Sequence, residues 1–538
     1  MIRNLSLALG LLTSSAAALA QTATPLPHIE SRNGRHALIV DGAPFFMLGA
    51  QVNNSSNYAA PLATAWPVLD RIHANTIEVP IAWQQIEPEE GKFAFSFLQT
   101  LLDEARAHDK RVVLLWFGTW KNTGPAYVPD WVKLDNRRFP RMKTRDGKDH
   151  YALSAHGTGT LEADKRAFTR LMTYLRDRDP QNTVILVQVE NETGSYGNPR
   201  DFSASANALF AKAIPSDLAK RTGKRGTWAE AFGPQADRAF YTWHLASYVN
   251  AVAAAGKAVK PLPMYVNAAL AGTGVADPNG VSSGGPQHDV LDIWKVAAPA
   301  IDFGAPDIYD GNPSNVEQYL EKYARADNAL MVPEIGNSRS FARFFWPAIG
   351  RGAIGFSPFG MDGTGYFNYP LGSADLSPEA LDAFALPYTA VGSMMRDWAR
   401  IAFEKPTWGV AKPDDGTPRS TRMGDWMINA SWGEWQFGSR QRNSPKDDAP
   451  PWAKEPVGGI AVAQLSANEF LIVGDHVRVS INPAPGTASN AMMLSAEEGR
   501  FENGRWITQR VWNGDQTDYG LNLIDRPQVL KVTMGRYR

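Results

Sequence analysis

Between His36 and Arg400 the chain alternates short apolar runs with longer stretches whose apolar residues recur three or four apart. The runs are Phe45–Val52, Asn75–Ile81, Arg111–Phe117, Thr183–Val189, Pro263–Asn267, Asp302–Tyr309, Ala329–Pro333 and Ala353–Phe359. Between them lie helical patterns such as Phe97–Lys110, with Leu98, Leu101, Leu102 and Ala105 on one face, and Asp164–Arg178, with Phe168, Leu171, Met172 and Leu175. Strand-length runs that alternate with helical periodicity are β-α units, whose strands pair in parallel. Eight of them predict a (β/α)8 TIM barrel, although an open doubly wound sheet has the same alternation. After about Ile401 the rhythm changes to short strand-like runs, such as Gly459–Leu465, Glu469–Val473, His476–Ile481, Arg505–Val511 and Val529–Met534, divided by turn residues. The expected α/β layout is a catalytic-size barrel at 25–400 followed by a smaller all-β C-terminal domain at 401–538.

Residues 1–20 carry one early positive charge at Arg3, an apolar stretch from Leu5 to Leu12, and small residues ending in Ala18-Leu19-Ala20. This is the pattern of a signal peptide cleaved after Ala20. Thr13-Ser14-Ser15 interrupts the apolar stretch before it reaches membrane-spanning length. Export to the periplasm or the extracellular space is therefore expected, with no membrane association once the signal is removed. Lys+Arg and Asp+Glu number 54 and 55, so bulk charge does not mark a nucleic-acid binder. The absence of cysteine removes disulfides, thiolate nucleophiles and Cys-based metal sites from consideration.

Two segments could carry chemistry. Thr183–Tyr196 reads TVILVQVENETGSY, a strand that runs into Glu190, Asn191 and Glu192 before a turn at Gly194-Ser195. Ala329–Asn337 reads ALMVPEIGN, a second apolar strand with Glu334 at its end. Active sites of parallel barrels form at the carboxyl ends of the strands. In regular extended backbone Glu190 and Glu192 point to one side and Asn191 to the other. Two glutamates at two strand ends, in a chain with 17 Trp and no Cys, point to glycoside hydrolysis, with one carboxylic acid protonating the leaving oxygen while the other attacks the anomeric carbon or activates water. A solvated carboxylate cluster or a structural ion pair is the alternative for each glutamate taken alone.

The run Val187-Gln188-Val189-Glu190-Asn191-Glu192 with Gly194-Ser195-Tyr196 resembles the acid/base motif of glycoside hydrolase family 35, the β-galactosidases of clan A. Supporting similarities are Val40-Asp41-Gly42 with Phe45 and Leu48-Gly49, Asn75 with Val79-Pro80, and Glu87-Pro88 with Gly91, Phe93 and Phe95. The resemblance implies Glu192 as acid/base, Glu334 as nucleophile, Asn191 bonded to the sugar 2-hydroxyl, and Tyr309 orienting the nucleophile. It gives Glu190 a buried structural or substrate-contacting role. Glu78, where many members carry an aromatic residue, and Trp116, in the segment after the third strand, stand where the family contacts sugar, so both are candidate substrate-binding residues. The implied activity is a retaining, exo-acting β-galactosidase that needs no metal or organic cofactor and takes a carbohydrate partner. The layout is similar to the bacterial branch that acts on plant polysaccharides such as xyloglucan. The alternatives are a β-glycosidase for glucoside or arabinoside and, from another class, a non-catalytic carbohydrate-binding protein on the same scaffold. The oligomeric state is left open by the sequence.

Other signals are weaker. Gly350–Gly355 fits a dinucleotide-binding spacing, but with a helix before it and a strand after it, the reverse of what pyrophosphate binding requires. No His-Glu-x-x-His or Gly-x-Ser-x-Gly run occurs. Of Trp66, Trp83, Trp116, Trp120 and Trp131, one or two are expected to stack on sugar faces and the rest to pack in the core. Trp426, Trp432 and Trp435 are expected to pack the β domain against the barrel.

Overall fold

The computed structural model describes residues 24–277, 282–366, 371, 375–432, 454–502, 504–523 and 526–538. Residues 1–20, where the signal is expected, and Trp435 lie outside the described residues.

Eight parallel strands close into a barrel: β1 (Met47–Gln51), β2 (Thr76–Ala82), β3 (Arg111–Lys121), β4 (Val184–Asn191), β5 (Met264–Ala269), β6 (Phe303–Ile308), β7 (Val332–Ile335) and β8 (Gly355–Pro358). Closure runs through β8 against β1, with Gly355 opposite Met47, and through β4 against β5, with Val187 opposite Met264. Every residue of β1, β2, β7 and β8 is buried, because a parallel strand inside a ring of helices is covered on both faces. The outer ring is α1 (Ala59–Arg71), α2 (Ser96–Ala107), α3 (Thr158–Arg178), α4 (Ala236–Lys257), α5 (Leu291–Ala297), α6 (Pro313–Tyr323), α7 (Phe345–Gly350) and α8 (Pro378–Gly392). α2 shows why these segments are helical: Leu98, Leu101, Leu102 and Ala105 form its buried stripe, and the rest of the helix faces outward.

A three-stranded antiparallel sheet, His28–Arg32, Arg35–Val40 and Ala43–Phe45, precedes β1. Its Leu38, Val40 and Phe45 pack with Val113, Ile185, Phe303 and Met331, closing the amino-terminal mouth of the barrel. The reading that ran the first barrel strand from Phe45 passed over this sheet, yet its turns were legible. Asn33-Gly34 and Asp41-Gly42 all have positive φ, the signature of two-residue hairpin turns.

The helix α9 (Met395–Glu404) leads into the all-β part. Its strands are β9 (Thr407–Ala411), β10 (Arg419–Met423), β11 (Trp426–Ser431), β12 (Gly459–Gln464), β13 (Glu469–Asp475), β14 (Val477–Pro483), β15 (Ala491–Glu502), β16 (Arg505–Trp512), β17 (Leu521–Leu523) and β18 (Gln528–Arg536). They form two antiparallel sheets, ordered β9-β12-β13-β18-β15-β16 and β10-β11-β14-β17. Trp426, Trp432 and Ile472 belong to the core between the sheets, so these two Trp do not pack on the barrel as expected.

The barrel and the sheets share packing through α7 and the 3-10 turn Arg339–Phe344 before it. Trp346 donates from Nε1 to Asp475 (2.8 Å), and Arg343 donates to the Lys412 carbonyl and to Asp414 (2.8 Å each). A Cβ on Gly350 would lie 2.2 Å from the Gly409 nitrogen, so α7 rests directly on the backbone of β9. Gly350 ends α7 and β8 follows, which removes the dinucleotide reading of Gly350–Gly355. No helix among the described residues is long and apolar enough to cross a membrane.

Candidate active site

The ends of β3, β4, β6 and β7 meet over a cleft of about 300 Å³ lined by Lys121, Glu192, Asp307, Tyr309 and Glu334, with Asn54, Asn122, Tyr196, Tyr319 and Phe359 around them. Glu334 lies in β7, 6% exposed. Its Oε1 accepts from the Tyr309 hydroxyl, and its Oε2 accepts from Gln51 Nε2 at 3.0 Å. Burial, and then the charge of Glu192, push Glu334 up to about 7, against the pull of Lys121, Tyr309 and Gln51.

Glu192 follows the end of β4. Glu190 and Glu192 have φ of +64° and +43°, left-handed backbone that side-chain-bearing residues seldom adopt. Regular alternation therefore fails here, and the two glutamates do not share a side. Glu192 turns into the cleft, where its amide donates to Asn267 Oδ1 (2.9 Å) and its Oε2 lies 3.9 Å from Lys121 Nζ. Glu190 turns into the wall, accepting from the Trp120 amide (2.8 Å). Burial, and then the Asp164 carboxylate, raise Glu190 well above the usual carboxylate range.

One carboxylate oxygen from each of Glu192, Asp307 and Glu334 lies within 4.8 Å of the others. Among the described residues this is the one cluster whose spacing suits a cation. The Lys121 ammonium already supplies positive charge at its edge. Asp307, in β6, is 2% exposed, and its Oδ2 accepts from Asn267 Nδ2 at 2.6 Å.

Among the residues expected from the sequence, Glu192, Glu334 and Tyr309 come together in the cleft. Asn191 lies beside them, buried, with neither side-chain polar atom hydrogen-bonded in the protein. Glu78 and Trp116 are corrections. Glu78 is fully buried inside the barrel, bonded to Ser357 and to the Tyr265 hydroxyl (3.3 Å), and burial raises it to about 8. Trp116 is also fully buried, packed on Phe168 and donating to Asp164 (3.0 Å) behind the strand, so it has no face to offer a sugar. Trp66, Trp83 and Trp120 are core residues, Trp131 packs on Trp83, and no Trp lines the cleft among the described residues. The aromatic faces there are Tyr196, Tyr309, Tyr319 and Phe359.

Sequence reasoning gave no site role to Gln51, Lys121, Asn267 or Asp307. Gln51 and Asp307 carry the same signal as Glu334, a polar residue closing an apolar strand. Lys121 was hidden because β3 runs past Phe117, where the apolar run stops.

A β-galactosidase family model, Glyco_hydro_42, matches residues 64–241, and a domain of unknown function, DUF5597, matches residues 384–524. The first match includes Glu192 and ends before Glu334. A β-galactosidase of Xanthomonas manihotis is 26% identical over 182 residues, 32% of this chain and 28% of that protein, so the chain spans little more than a quarter of the length of this curated relative. Among solved structures, the β-galactosidase of the psychrophilic Marinomonas ef1 aligns with a TM-score of 0.49 at 13% identity, covering 66% of this chain and 62% of that one. That of the Antarctic haloarchaeon Halorubrum lacusprofundi aligns at 0.47 and 16%, covering 64% and 58%. The catalytic domain of a Paenibacillus polymyxa β-amylase aligns at 0.45 and 13%, covering 63% and 96%. The matching model is of family 42 type, and the narrower family 35 assignment is not confirmed by it. The match over residues 64–241 makes the first half of the barrel, from α1 into α4, similar to a β-galactosidase family model.

Proposed function

We propose that the protein is a retaining β-galactosidase that removes terminal β-galactosyl residues from oligo- or polysaccharides. The observation that carries this reading is the approach of the Glu192 and Glu334 carboxylates to within 4.8 Å, with Glu334 held by Tyr309 and Gln51. Retaining glycosidases keep their two carboxyl groups about 5–5.5 Å apart and inverting ones about 6.5–9.5 Å, because an inverting site must leave room for water. The small cleft favours exo action on a chain end. In the first step ionised Glu334 attacks the anomeric carbon while Glu192 protonates the departing oxygen. In the second, water attacks the glycosyl ester as Glu192 takes its proton, and Glu334 is released. Plant polysaccharide galactose, as in xyloglucan side chains, is the substrate class suggested by the family 35-like run at Val187–Glu192, and export is the setting suggested by residues 1–20.

Time-resolved NMR of the protein from Gln21 onward, incubated with an aryl β-D-galactoside, tests this. Initial release of β-galactose supports the reading, and initial α-galactose refutes retention. Cleavage of aryl β-glucoside or α-L-arabinoside in place of the galactoside moves the assignment to another sugar, and binding of all three without cleavage moves it to a carbohydrate-binding protein. Glu334→Gln abolishes turnover of every substrate, whereas Glu192→Ala spares substrates with very acidic leaving groups. Because Glu334 works ionised and is held at about 7, kcat/KM falls as pH drops below about 7.

A further inference from the structure

Asp307 stands between the two working glutamates, and the two-step mechanism leaves it without a task. It is buried, with a carboxylate oxygen within 4.8 Å of one from Glu192 and one from Glu334. Its Oδ2 is anchored by Asn267 Nδ2 at 2.6 Å. Its Oδ1 is buried and makes no hydrogen bond in the protein. An unpaired buried carboxyl oxygen costs about 1–3 kcal/mol, more when charged, so a site that keeps one has a use for it. The same Asn267 accepts from the Glu192 amide through Oδ1 at 2.9 Å. One amide thus fixes both Asp307 and Glu192.

We propose that Asp307 is a positioning residue for Glu192, the two carboxyls holding one proton between them that serves as the catalytic proton. The proposal rests on the acid/base reading of Glu192. Hydrogen bonds of this kind are often long without substrate and tighten when it enters. Three carboxylates this close do not ionise together, as in the paired carboxyls of aspartic proteases. Burial, and then the charges of Glu334 and Glu192, hold Asp307 well above its ordinary range. The other charged group facing Asp307 is Lys121, whose ammonium opposes that effect. Four phenols also face it, Tyr196 from the turn after β4, Tyr265 from β5, Tyr309 beyond β6 and Tyr323 from α6, and burial raises all four.

The proton count closes over the cycle. As the Glu334 oxygen bonds to the anomeric carbon and the glycosidic C–O bond breaks, the departing oxygen takes the proton from Glu192. That proton is the one the pair shares, so its transfer leaves Glu192 and Asp307 doubly ionised beside Lys121. As water bonds to the anomeric carbon and the ester C–O bond breaks, the water proton returns to the pair and Glu334 leaves as carboxylate.

The test compares wild type, Asp307→Asn and Asp307→Glu on phenyl and 2,4-dinitrophenyl β-galactosides across pH. Removing the second negative charge makes the pair give up its proton at lower pH. Asp307→Asn therefore moves the alkaline limb of kcat/KM toward acid by about one unit. It lowers kcat/KM on the phenyl substrate by about 10–100-fold and leaves the dinitrophenyl substrate within about threefold. Asp307→Glu keeps the wild-type limb. Equal losses on both substrates with an unmoved limb overturn the proposal, leaving Asp307 a structural residue. Asp307→Ser, smaller than Asp and without its charge, reads the same shift if Asp307→Asn does not fold. An infrared titration of wild type and Asp307→Asn without substrate separates this proposal from the sugar assignment. Loss of a late-titrating protonated carboxyl band in the variant supports the shared proton even if no galactoside is cleaved, and identical spectra refute it.

Discussion

Both polar atoms of the Asn191 side chain are buried, and neither makes a hydrogen bond within the protein. A primary amide left this way costs free energy unless something outside the chain completes it, and a sugar hydroxyl supplies both a donor and an acceptor. Asn191→Ala is expected to lower kcat/KM on an aryl β-galactoside by about 10²–10³-fold, as removal of one donor to a developing transition-state charge does elsewhere. On the matching 2-deoxygalactoside the same substitution costs little, because the partner hydroxyl is already gone. Equal losses on both substrates place Asn191 outside contact with that hydroxyl. Glu192 and Glu334 were legible as acids at the ends of apolar runs, and Asn191 and Tyr309 were singled out through the resemblance to family 35. The direction of Glu190 was not, because alternation holds only for extended backbone, and φ changes sign at residues 190 and 192. Glu78 and Trp116 were misplaced for the opposite reason. Both lie inside regular strands, where position along the strand sets depth in the barrel, and depth is invisible to a pattern of residue types.

Secondary elements were recovered where burial is uniform, and lost where a short or irregular piece depends on its neighbours. Every barrel strand fell on an apolar run, since a covered parallel strand has to be apolar along its length. The extension of β3 through Gly118-Thr119-Trp120-Lys121 breaks that rule and brings Lys121 to within 3.9 Å of Glu192. Gly118 belongs to the same irregular stretch. A Cβ there would lie 2.7 Å from Glu190 Oε1, so the glycine lets the wall glutamate lie flat on β3. The contact between α7 and β9 follows the same logic at the other side of the barrel. A methyl group on Gly350 would meet the Gly409 backbone at 2.2–2.3 Å, and neither segment can yield without moving a helix or a sheet. Gly350→Ala is expected to destabilise the protein by about 1–3 kcal/mol, the usual cost of overpacking. Gly274→Ala, where nothing lies within 4 Å, is the control for the substitution itself. Chemical denaturation of the three proteins checks this, and matching midpoints for wild type and Gly350→Ala would show that α7 does not bear on β9.

At the scale of the whole molecule, the barrel holds buried acids in excess of the bases that could pair with them, and this ties stability to pH. Glu78 sits at about 8 and Glu334 at about 7, both from an unfolded value near 4.5, and burial is the largest cause in each case. The folded state therefore binds more protons than the unfolded chain between about pH 4.5 and 8, and stability falls as pH rises through that window. The stabilising contribution is complete below the unfolded value and is lost as pH passes the folded one. Glu78 is hydrogen-bonded to Ser357 and Tyr265, and the charge of Glu334 adds a smaller upward push, so its share can be removed without breaking a hydrogen bond to a reacting group. Glu78→Gln keeps the size and both hydrogen-bonding positions and has no proton to lose. At pH 5 it should unfold close to wild type. At pH 7 it should be more stable by about 3 kcal/mol, from 1.36 kcal/mol per unit over the interval between the unfolded value and pH 7. Set against the roughly 5–15 kcal/mol that holds a domain folded, that is a large share. Denaturant midpoints of the two proteins at pH 5, 6, 7 and 8 would diverge steadily if Glu78 is held neutral in the fold. Parallel midpoints across the range would mean that Glu78 is ionised in the barrel and paired in a way that two neutral hydroxyls do not account for.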